Sequence, residues 1–494
     1  MFIESFADEN GKARYSYQKL FKEFLTVYNT GLDTAIYIAI AKHYQLSGNL
    51  KSHIYFLLKA GLVKEAICTF SGNTIKLICD NNLVSYDECL EVFTHEDIDD
   101  KDFMFYHSCR LELFKGLNIK EHIDKLRNLN SIYLSDFDVN IILSEFYLLS
   151  NNYDEAQKIL STIKDKYLTE ETKQYINYLL ARVYFRIGPD CYDKAIELCI
   201  EETSSPVNNL FRSELYGLLG NIYKDKGNLL TAMHYYESSL QDINQYLKYV
   251  KQLGNIVELH SILGNYEKSY SYLNILISVT YGVKIVSLNN IVLRAQINFY
   301  NYSGDFTQAI HFLENAINNT ETLENPVLLM SKYIEMAQAY WSANKITAAR
   351  DVYLLAEKIY AKIPENRYFA IIIDFVKDFI ADNSMVFKNT EQSLLNAINW
   401  HKKNNVFKPI GYFLLYISEL YLKSNNYQTS FGYLCDAIEN LNKYSMYSFL
   451  ENRILPSRAL FDLAISQNLN KKLVKEIGER DRKSTRLNSS HLVI

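Results

Sequence analysis

Polar and aromatic side chains recur on one side of several predicted helices, in combinations that could bind a ligand. Arg294, Asn298 and Asn301 stand at i, i+4 and i+7, which places a guanidinium and two amides on one helical face. Arginine, amide and aromatic side chains are the groups from which binding surfaces for peptides and small molecules are built. The equivalent faces of neighbouring predicted helices carry the other candidates, which are Tyr178, Arg182, Phe185, Asn221, Lys224, Gln338 and Trp341. An ordinary solvated helix face is the alternative interpretation.

Residue patterns typical of enzymes are not found in the sequence. It contains no HExxH, GxSxG or GxGxxG pattern, and no P-loop of the form GxxxxGK[ST]. His107 and Cys109 come nearest to a metal-binding spacing, but a second pair of ligands is lacking, so a core or surface histidine is the favoured interpretation. We therefore predict a binding protein without catalytic residues, metal or cofactor.

Composition predicts a helical protein with a large core. The 494 residues include only 17 Gly and 6 Pro, which is few for a sheet-rich protein, whereas 40 Tyr and 26 Phe can fill an extensive core. The net charge of -5 and the scattered basic residues do not favour binding to nucleic acid. Cys68 and Cys199 fall at helical positions where we expect small core residues in a reducing compartment. Without a signal peptide or an apolar run of about 18 residues, the chain is predicted to be soluble and cytoplasmic.

A helix pair with a fixed order of small and aromatic residues recurs along the chain. In the clearest copy Gly220 and Tyr223 precede the turn at Gly227-Asn228, and Ala232 and Tyr236 follow it. A small residue on each helix lets the backbones approach, while Gly or Asn in the turn supplies a left-handed helix end. The first small positions of the copies are Ser144, Ala181, Gly220, Val257, Ile297, Ala337 and Ser418.

This period predicts an all-α fold, a TPR-like right-handed helical-repeat superhelix. The steps from Ser144 to Ala337 are 37 to 40 residues, which approach the HEAT range, but the Ala and Tyr positions favour TPR with lengthened helices. One degenerate copy would fit around Phe369 to Ile398, and a non-repeating helical bundle is the alternative. Outward residues of the first helices would line one groove. Tyr223, Tyr300 and Tyr340 are expected to pack between helices instead.

Residues 1–30 do not follow the repeat. Two strand-like runs, Met1–Phe6 and Arg14–Tyr17, flank Asn10-Gly11, a dipeptide that favours the turn of a β-hairpin. From Gln18 to Leu25 the apolar residues then fall on one face of a predicted helix.

This segment resembles the STAND-type transcription activators related to the maltose regulator MalT and the large LuxR-type regulators. Their winged-helix segment ends with a strand, a polar turn, an aromatic strand and a YRYHxLFxxFL helix. The sequence ARYSYQKLFKEFL at residues 13–25 is similar, with Tyr17 and Gln18 where the family usually has Tyr-His or His-Pro. The family's next helix pair is matched in order by Ala41, Tyr44, Gly48, His53, Leu57, Ala60-Gly61 and Glu65-Ala66-Ile67.

The resemblance covers residues 1–70 by motif and the rest by repeat architecture, and it implies a piece of a longer regulator. An ATPase module would lie before Met1, so ATP is expected only there, and an effector domain would follow Arg480. We expect the end of a winged-helix segment at 1–30, irregular helix pairs at 31–133 and TPR-like repeats at 134–480. Residues 481–494 resemble a translated sequencing adapter, with a polar disordered tail as the alternative.

Two functions are consistent with these features. The first is the signal-sensing region of a STAND-type transcriptional regulator, which would bind a protein, peptide or small-molecule inducer in the groove, and neither nucleic acid nor membrane. The second is a stand-alone TPR adaptor or signalling-peptide receptor, which explains the groove equally well but leaves residues 13–25 unexplained. An enzyme comes third, for want of a site.

Overall fold

The computed structural model describes most of the chain. The described residues are 3–7, 13–17, 34–79, 82–95, 100–114, 120–129, 131–164, 169–204, 210–241, 246–282, 286–318, 326–343, 345–362, 387–403, 406–444, 463–464 and 466–467. The chain divides into two compact units, Met1–Lys166 and Tyr167–Ile494.

Two short strands lie at the N-terminus of the first unit. β1 (Ile3–Ala7) pairs antiparallel with β2 (Ala13–Tyr17), so that Ile3 is opposite Tyr17 and Ala7 is opposite Ala13. The predicted turn at Asn10-Gly11 and the predicted helix from Gln18 to Leu25 lie outside the described residues. Assignment of the strands to the end of a winged helix stays a prediction.

The described helices of the first unit are α1 to α8. They are α1 (Thr34–Leu46), α2 (Leu50–Lys59), α3 (Val63–Cys79), α4 (Leu83–His95), α5 (Lys101–Phe114), α6 (Ile123–Arg127), α7 (Asp136–Leu149) and α8 (Tyr153–Ile163). A single 3₁₀ turn, Lys120–His122, leads into α6.

The second unit contains α9 to α21. They are α9 (Glu170–Ile187), α10 (Tyr192–Ser204), α11 (Arg212–Lys226), α12 (Leu229–Gln241), α13 (Tyr246–Ile262), α14 (Tyr266–Thr280), α15 (Val286–Ser303), α16 (Phe306–Ile317), α17 (Pro326–Ser342), α18 (Ile346–Tyr360), α19 (Phe387–Lys403), α20 (Lys408–Lys423) and α21 (Tyr427–Lys443). Most of the predicted degenerate copy lies outside the described residues.

The helix pairs pack through the predicted small residues. Gly220 of α11 lies so close to Tyr236 of α12 that an added methyl group would overlap the ring, and Ala232 is fully buried. In α20 and α21 the hydroxyls of Ser418 and Ser430 each donate to the other residue's carbonyl oxygen at 2.8 Å. The helical-repeat prediction is therefore confirmed, while the handedness of a superhelix stays a prediction.

Aromatic residues connect the two helices of a pair. The ring centroids of Tyr223 and Tyr235 lie 5.5 Å apart in a stacked geometry. Equivalent stacks join Tyr44 to Phe56, Tyr300 to Phe312 and Tyr421 to Tyr433, at 5.5, 5.5 and 5.7 Å. The first helix contributes the predicted tyrosine, whereas its partner on the second helix was not part of the prediction. These stacks add a favourable edge or face contact to the area that the rings bury.

Left-handed residues end the first helices, as predicted. Gly227 after α11 has φ 87° and Asn425 after α20 has φ 59°. Because this conformation lets backbone N–H groups reach the last carbonyls of the helix, the chain can reverse within a few residues.

Polar side chains are buried among the aromatic residues of the first unit. His107 lies against the rings of Phe70 and Phe103, and its Nδ1 is 2.7 Å from the Tyr86 hydroxyl. Burial lowers the pKa of His107 well below its usual range, so the imidazole is neutral.

The prediction for cysteines was half right, since Cys199 is buried but Cys68 is exposed. Cys68 has this position because it follows the buried face of α3 by one residue.

Within the described part of the chain, no helix has the length and apolar character needed to span a lipid bilayer.

Candidate functional site

The first helices of consecutive pairs contact one another in the second unit, and this brings their polar faces together. α9 contacts α11, α11 contacts α13, and α13 contacts α15. Side chains that leave neighbouring first helices on the same side can therefore lie next to one another.

Four residues of α13 define the middle of this surface, and we call them the α13 stripe. Lys248, Lys251, Asn255 and Glu258 are spaced at i, i+3, i+7 and i+10, which places them on one face of the helix. On one side, Lys248 forms an ion pair with Glu214 of α11. On the other, the amide oxygen of Asn255 accepts a hydrogen bond from Arg294 of α15 at 3.3 Å.

Lys251 lies in the middle of the α13 stripe among other cations. Its side chain is exposed, yet desolvation by the surrounding protein lowers its pKa to about 8. The positive charges of Arg182, Arg294 and Arg186 act in the same direction, and the Glu214 carboxylate opposes them in part. Lys251 is therefore accessible at the surface and at the same time less easily charged than an isolated lysine.

Arg182 and Tyr178 of α9 lie beside each other. The Arg182 guanidinium carbon is 5.4 Å from the centroid of the Tyr178 ring, a cation–π geometry. The same ring stacks on Phe211 with centroids 4.9 Å apart. Arg182 is thus held over an aromatic platform, and Tyr178 itself serves packing.

Gly217 of α11 lies against α13, where a larger residue would not fit. A methyl group there would overlap the amide of Gln252, so α11 and α13 approach closely at this point. This close approach helps to explain how Arg182 on α9 can act on Lys251 across α11.

Two predicted groove residues of α11 are occupied by internal contacts. Asn221 accepts a hydrogen bond from the Tyr236 hydroxyl at 2.8 Å. Lys224 is buried and its ammonium lies 2.8 Å from the Glu258 carboxylate. Burial alone would lower the pKa of Lys224, but the adjacent carboxylate raises it above its usual range. Asn221 therefore joins α11 to α12, and Lys224 joins α11 to α13 at the Glu258 end of the α13 stripe.

Trp341 and Gln338 of α17 lie near the C-terminal helices. The Trp341 ring is 6.2 Å from that of Tyr416 in α20, and the Gln338 carbonyl oxygen accepts a hydrogen bond from Ser342 at 2.8 Å. The backbone N–H of Phe407 also donates to the carbonyl oxygen of Lys226 at the end of α11, at 3.4 Å. The α20 helix thus covers the part of the surface to which Trp341 belongs.

The remaining predicted residues are partly buried. Phe185 stacks on Tyr192 with centroids 5.8 Å apart, so it packs the turn between α9 and α10. Asn298 and Asn301 are half-buried on α15. Of the ten predicted residues the structure thus brings Arg182 and Arg294 to one electrostatic cluster, and it adds Arg186 and Lys251, which the prediction missed. The polar spacing of the α13 stripe was the sequence signal that could have revealed Lys251.

Within the described ranges, no group of three His, Cys, Asp or Glu residues is placed to hold a metal ion.

Comparison with protein-family models and with curated protein sequences finds no match. Among solved structures, the Cut9–Hcn1 hetero-tetramer of APC/C matches 94% of this chain and 89% of that chain, with 13% identity and a TM-score of 0.51. A Rap protein complexed with competence and sporulation factor matches 72% of this chain and 99% of its own, with 13% identity and a TM-score of 0.48.

A STAND protein with a tetratricopeptide repeat sensor from Pyrococcus horikoshii matches 80% of this chain and 55% of its own, with 15% identity and a TM-score of 0.39. At such identities a likeness bears on the fold alone, and TM-scores below 0.5 support no argument. The match to Cut9–Hcn1 agrees with a TPR-like helical-repeat fold.

Proposed function

We propose that this chain is the signal-sensing and partner-binding arm of a STAND-type transcriptional regulator. The observation that carries the binding function is the open, positively charged surface around the α13 stripe, to which three first helices contribute. A groove of this kind on a right-handed TPR superhelix would accept a protein, a peptide or a small molecule. A binding function of this kind requires no catalytic group.

Support for the regulator comes from the N-terminal segment. The strands β1 and β2 pair antiparallel, as the strand–turn–strand end of a winged helix in a MalT-like or LuxR-type regulator would. The adjacent sequence YSYQKLFKEFL resembles the helix that follows in that family. In such a regulator an inducer bound to the helical repeats would shift the balance between two states of an ATPase module.

Sequencing the genomic DNA upstream of the Met1 codon tests whether the chain is part of such a regulator. We expect an open reading frame that encodes a P-loop in the same frame as this chain. A ribosome-binding site directly before Met1, without such a frame, would support the stand-alone peptide receptor instead.

The test of the binding surface is calorimetric titration with ligands found by screening peptides and metabolites against the full chain. Arg182→Ala and Arg294→Ala should each weaken binding by about 2 kcal/mol, as arginines at binding hot spots do, and should leave the melting temperature nearly unchanged. Lys268→Ala removes an exposed charge from the second helix α14 and serves as the matched control. Equal affinities in all variants would place the binding site elsewhere.

Trp341→Ala has a different expected result. Because the indole packs near Tyr416 and belongs to the periphery of a large apolar cluster, its removal should lower the melting temperature as well. Trp341 is therefore unsuitable as a probe of binding alone.

A further inference from the structure

Positive charge is concentrated on one face of the second unit. The charges of Arg182 and Arg186 of α9 and of Arg294 of α15 all act on Lys251 of α13, and we call these four residues the cationic face. The carboxylate that also acts on Lys251 is Glu214, which already forms an ion pair with Lys248. This local excess is notable in a chain whose formal net charge is -5.

The charges are accessible to a ligand. Lys251, Arg186 and Arg294 are exposed, and Arg182 is partly exposed above the ring of Tyr178. Within the described residues Arg182 lies over the ring of Tyr178, and Arg294 donates to the neutral amide of Asn255 rather than to a carboxylate. Lys224, by contrast, is buried against Glu258. The two arginines and Lys251 thus differ from a structural ion pair.

The positive charge of Lys251 is disfavoured by the surrounding protein and by the neighbouring arginines. The protein around Lys251 and the nearby guanidinium groups lower its pKa to about 8, which means that the folded chain tolerates an unfavourable arrangement. An anion in contact with Arg182, Lys251 and Arg294 would reverse this repulsion. Clefts lined by one sign of charge also attract oppositely charged ligands over a distance.

The arrangement favours carboxylates carried on an extended chain. Guanidinium groups bind carboxylates through paired hydrogen bonds. The cations come from α9, α13 and α15, and the axes of neighbouring packed helices lie about 8–10 Å apart. α13 and α15 are neighbours, whereas α11 lies between α9 and α13. Side chains on the same side of an extended peptide repeat every ~7 Å, so nearby acidic residues of one peptide can meet Lys251 and Arg294, and one farther along the peptide can reach Arg182. The ring of Tyr178, which is partly exposed and stacks on the buried Phe211, adds an apolar edge at one end.

We propose that Arg182, Lys251 and Arg294 bind the carboxylate groups of an acidic peptide segment that crosses α9, α13 and α15. An acidic peptide is thus the class of ligand that we assign to the proposed binding surface around the α13 stripe, and this assignment rests on the proposed binding function. The peptide can belong to a partner protein or be free, since both present the same carboxylates.

The experiment is isothermal titration of the full chain with acetylated, amidated hexaglutamate, and with hexaglutamine as the neutral control. We expect binding of hexaglutamate that weakens as salt is added, because exposed charges are screened, and no binding of hexaglutamine. Inorganic phosphate and pyrophosphate are tested as competitors. Equal binding of both peptides overturns the proposal, and displacement by phosphate at a far lower concentration than that of the peptide overturns the assignment to carboxylates.

Two variants locate the site. Lys251→Met and Arg294→Gln should each weaken hexaglutamate binding about tenfold, which corresponds to the loss of one charge-assisted contact. Lys268→Gln on α14 removes the same charge at another exposed place and should leave the affinity unchanged. Equal losses in all three variants would indicate a general effect of net charge and would overturn the site.

Proton uptake provides a second measurement. Around Lys251 the charged groups are Arg182 and Arg186 on α9, Glu214 on α11, Lys248 on its own helix and Arg294 on α15. Binding of carboxylates should raise the pKa of Lys251. Near pH ~8.5–9 the protein should therefore take up less than one proton per bound peptide. Lys251→Met should abolish this uptake. Uptake that is the same in the variant would show that another group titrates.

Failure of this inference can be told apart from failure of the binding function. If a screened ligand loses affinity in Arg182→Ala and Arg294→Ala but hexaglutamate does not bind, the surface binds a ligand of another class. If no ligand responds to either arginine, both proposals fail.

Discussion

In the first unit the Arg110 guanidinium and the Glu145 carboxylate lie 3.0 Å apart with almost no exposed surface, whereas in the second unit Lys251 and Arg294 are exposed beside further cations. A buried charge without a partner is very costly, and among the described core residues of the first unit Arg110 and Glu145 compensate each other. In the second unit Lys251 and Arg294 keep exposed surface, so contact with water offsets part of the repulsion between their like charges. A charge that is paired with an opposite charge in the core therefore serves packing, whereas an exposed charge beside like charges is available to a ligand.

The largest expected effect is loss of the compensated pair. Arg110→Ala should destabilise the first unit by about 3–5 kcal/mol, because Glu145 would remain buried without its cation. Urea unfolding of the variant and the wild type measures this difference. The double variant Arg110→Met, Glu145→Leu should recover most of the loss, since apolar residues of similar size can replace a buried pair. A double variant as unstable as the single one would contradict this explanation.

The next effect concerns the packing that positions both kinds of charge. Ala232→Leu and Ala349→Leu should each cost about 1–3 kcal/mol by overpacking, because both alanines are fully buried between two helices. Gly220→Ala tests the same contact from the first helix, where the added methyl would overlap Tyr236. Midpoints of urea unfolding equal to that of the wild type in all three variants would show that the repeat register is wrong.

This register was predictable from sequence because it depends on local spacing. Small residues, turn residues and one tyrosine per pair recur at fixed positions, and these determine how two adjacent helices pack. The aromatic partners such as Tyr235 and Phe312 were missed, although they follow Tyr223 and Tyr300 at a constant interval.

The pair Arg110 and Glu145 and the contact of Trp341 with Tyr416 could not be predicted in the same way. Each joins residues far apart in sequence, and no periodic signal links them. Arg182 and Arg294 were identified as groove residues from helical spacing, but spacing alone could not show which cations converge on Lys251.

An ionisable group can also be buried in its neutral form, and His401 is an example. Burial lowers its pKa to about 4, while an unfolded histidine titrates near ~6.5. Between these values the unfolded state binds a proton and the folded state does not, so stability should fall as the pH decreases from about 6.5 towards 4, by on the order of 1–2 kcal/mol.

The measurement is a series of urea melts across this pH range on the wild type and on His401→Leu. The variant should show a smaller loss in acid, although its stability near neutral pH can differ. Burial also lowers the pKa of His107 and of His260, and their contributions to the acid sensitivity should be unchanged in the variant. Equal pH profiles would mean that His401 takes up its proton in the folded state at the same pH as in the unfolded state.

The smallest effect should have the opposite sign to the first. Lys251→Met removes one of several like charges and should raise the melting temperature slightly at about pH 7, where lysine is charged in both states. As the pH rises from about 8 towards ~10, wild-type Lys251 loses its proton in the folded state first, so the wild type should gain stability and the difference should shrink. Differential scanning fluorimetry at both ends of this range measures it. A lower melting temperature in the variant near neutral pH would mean that Lys251 is a structural residue.

The contact between α11 and α20 bears on how the second unit unfolds. In an open array of repeats each pair contacts only its neighbours, so an array can lose structure from one end while the rest stays folded. Here one apolar cluster joins α12 and α13 to α17 and to the helices from α18 to α21, and the Phe407 N–H reaches the end of α11. The terminal helices cannot separate without breaking contacts with the early pairs. The array should therefore resist fraying, and a strain applied at one helix pair has to be shared by pairs that are distant in the sequence.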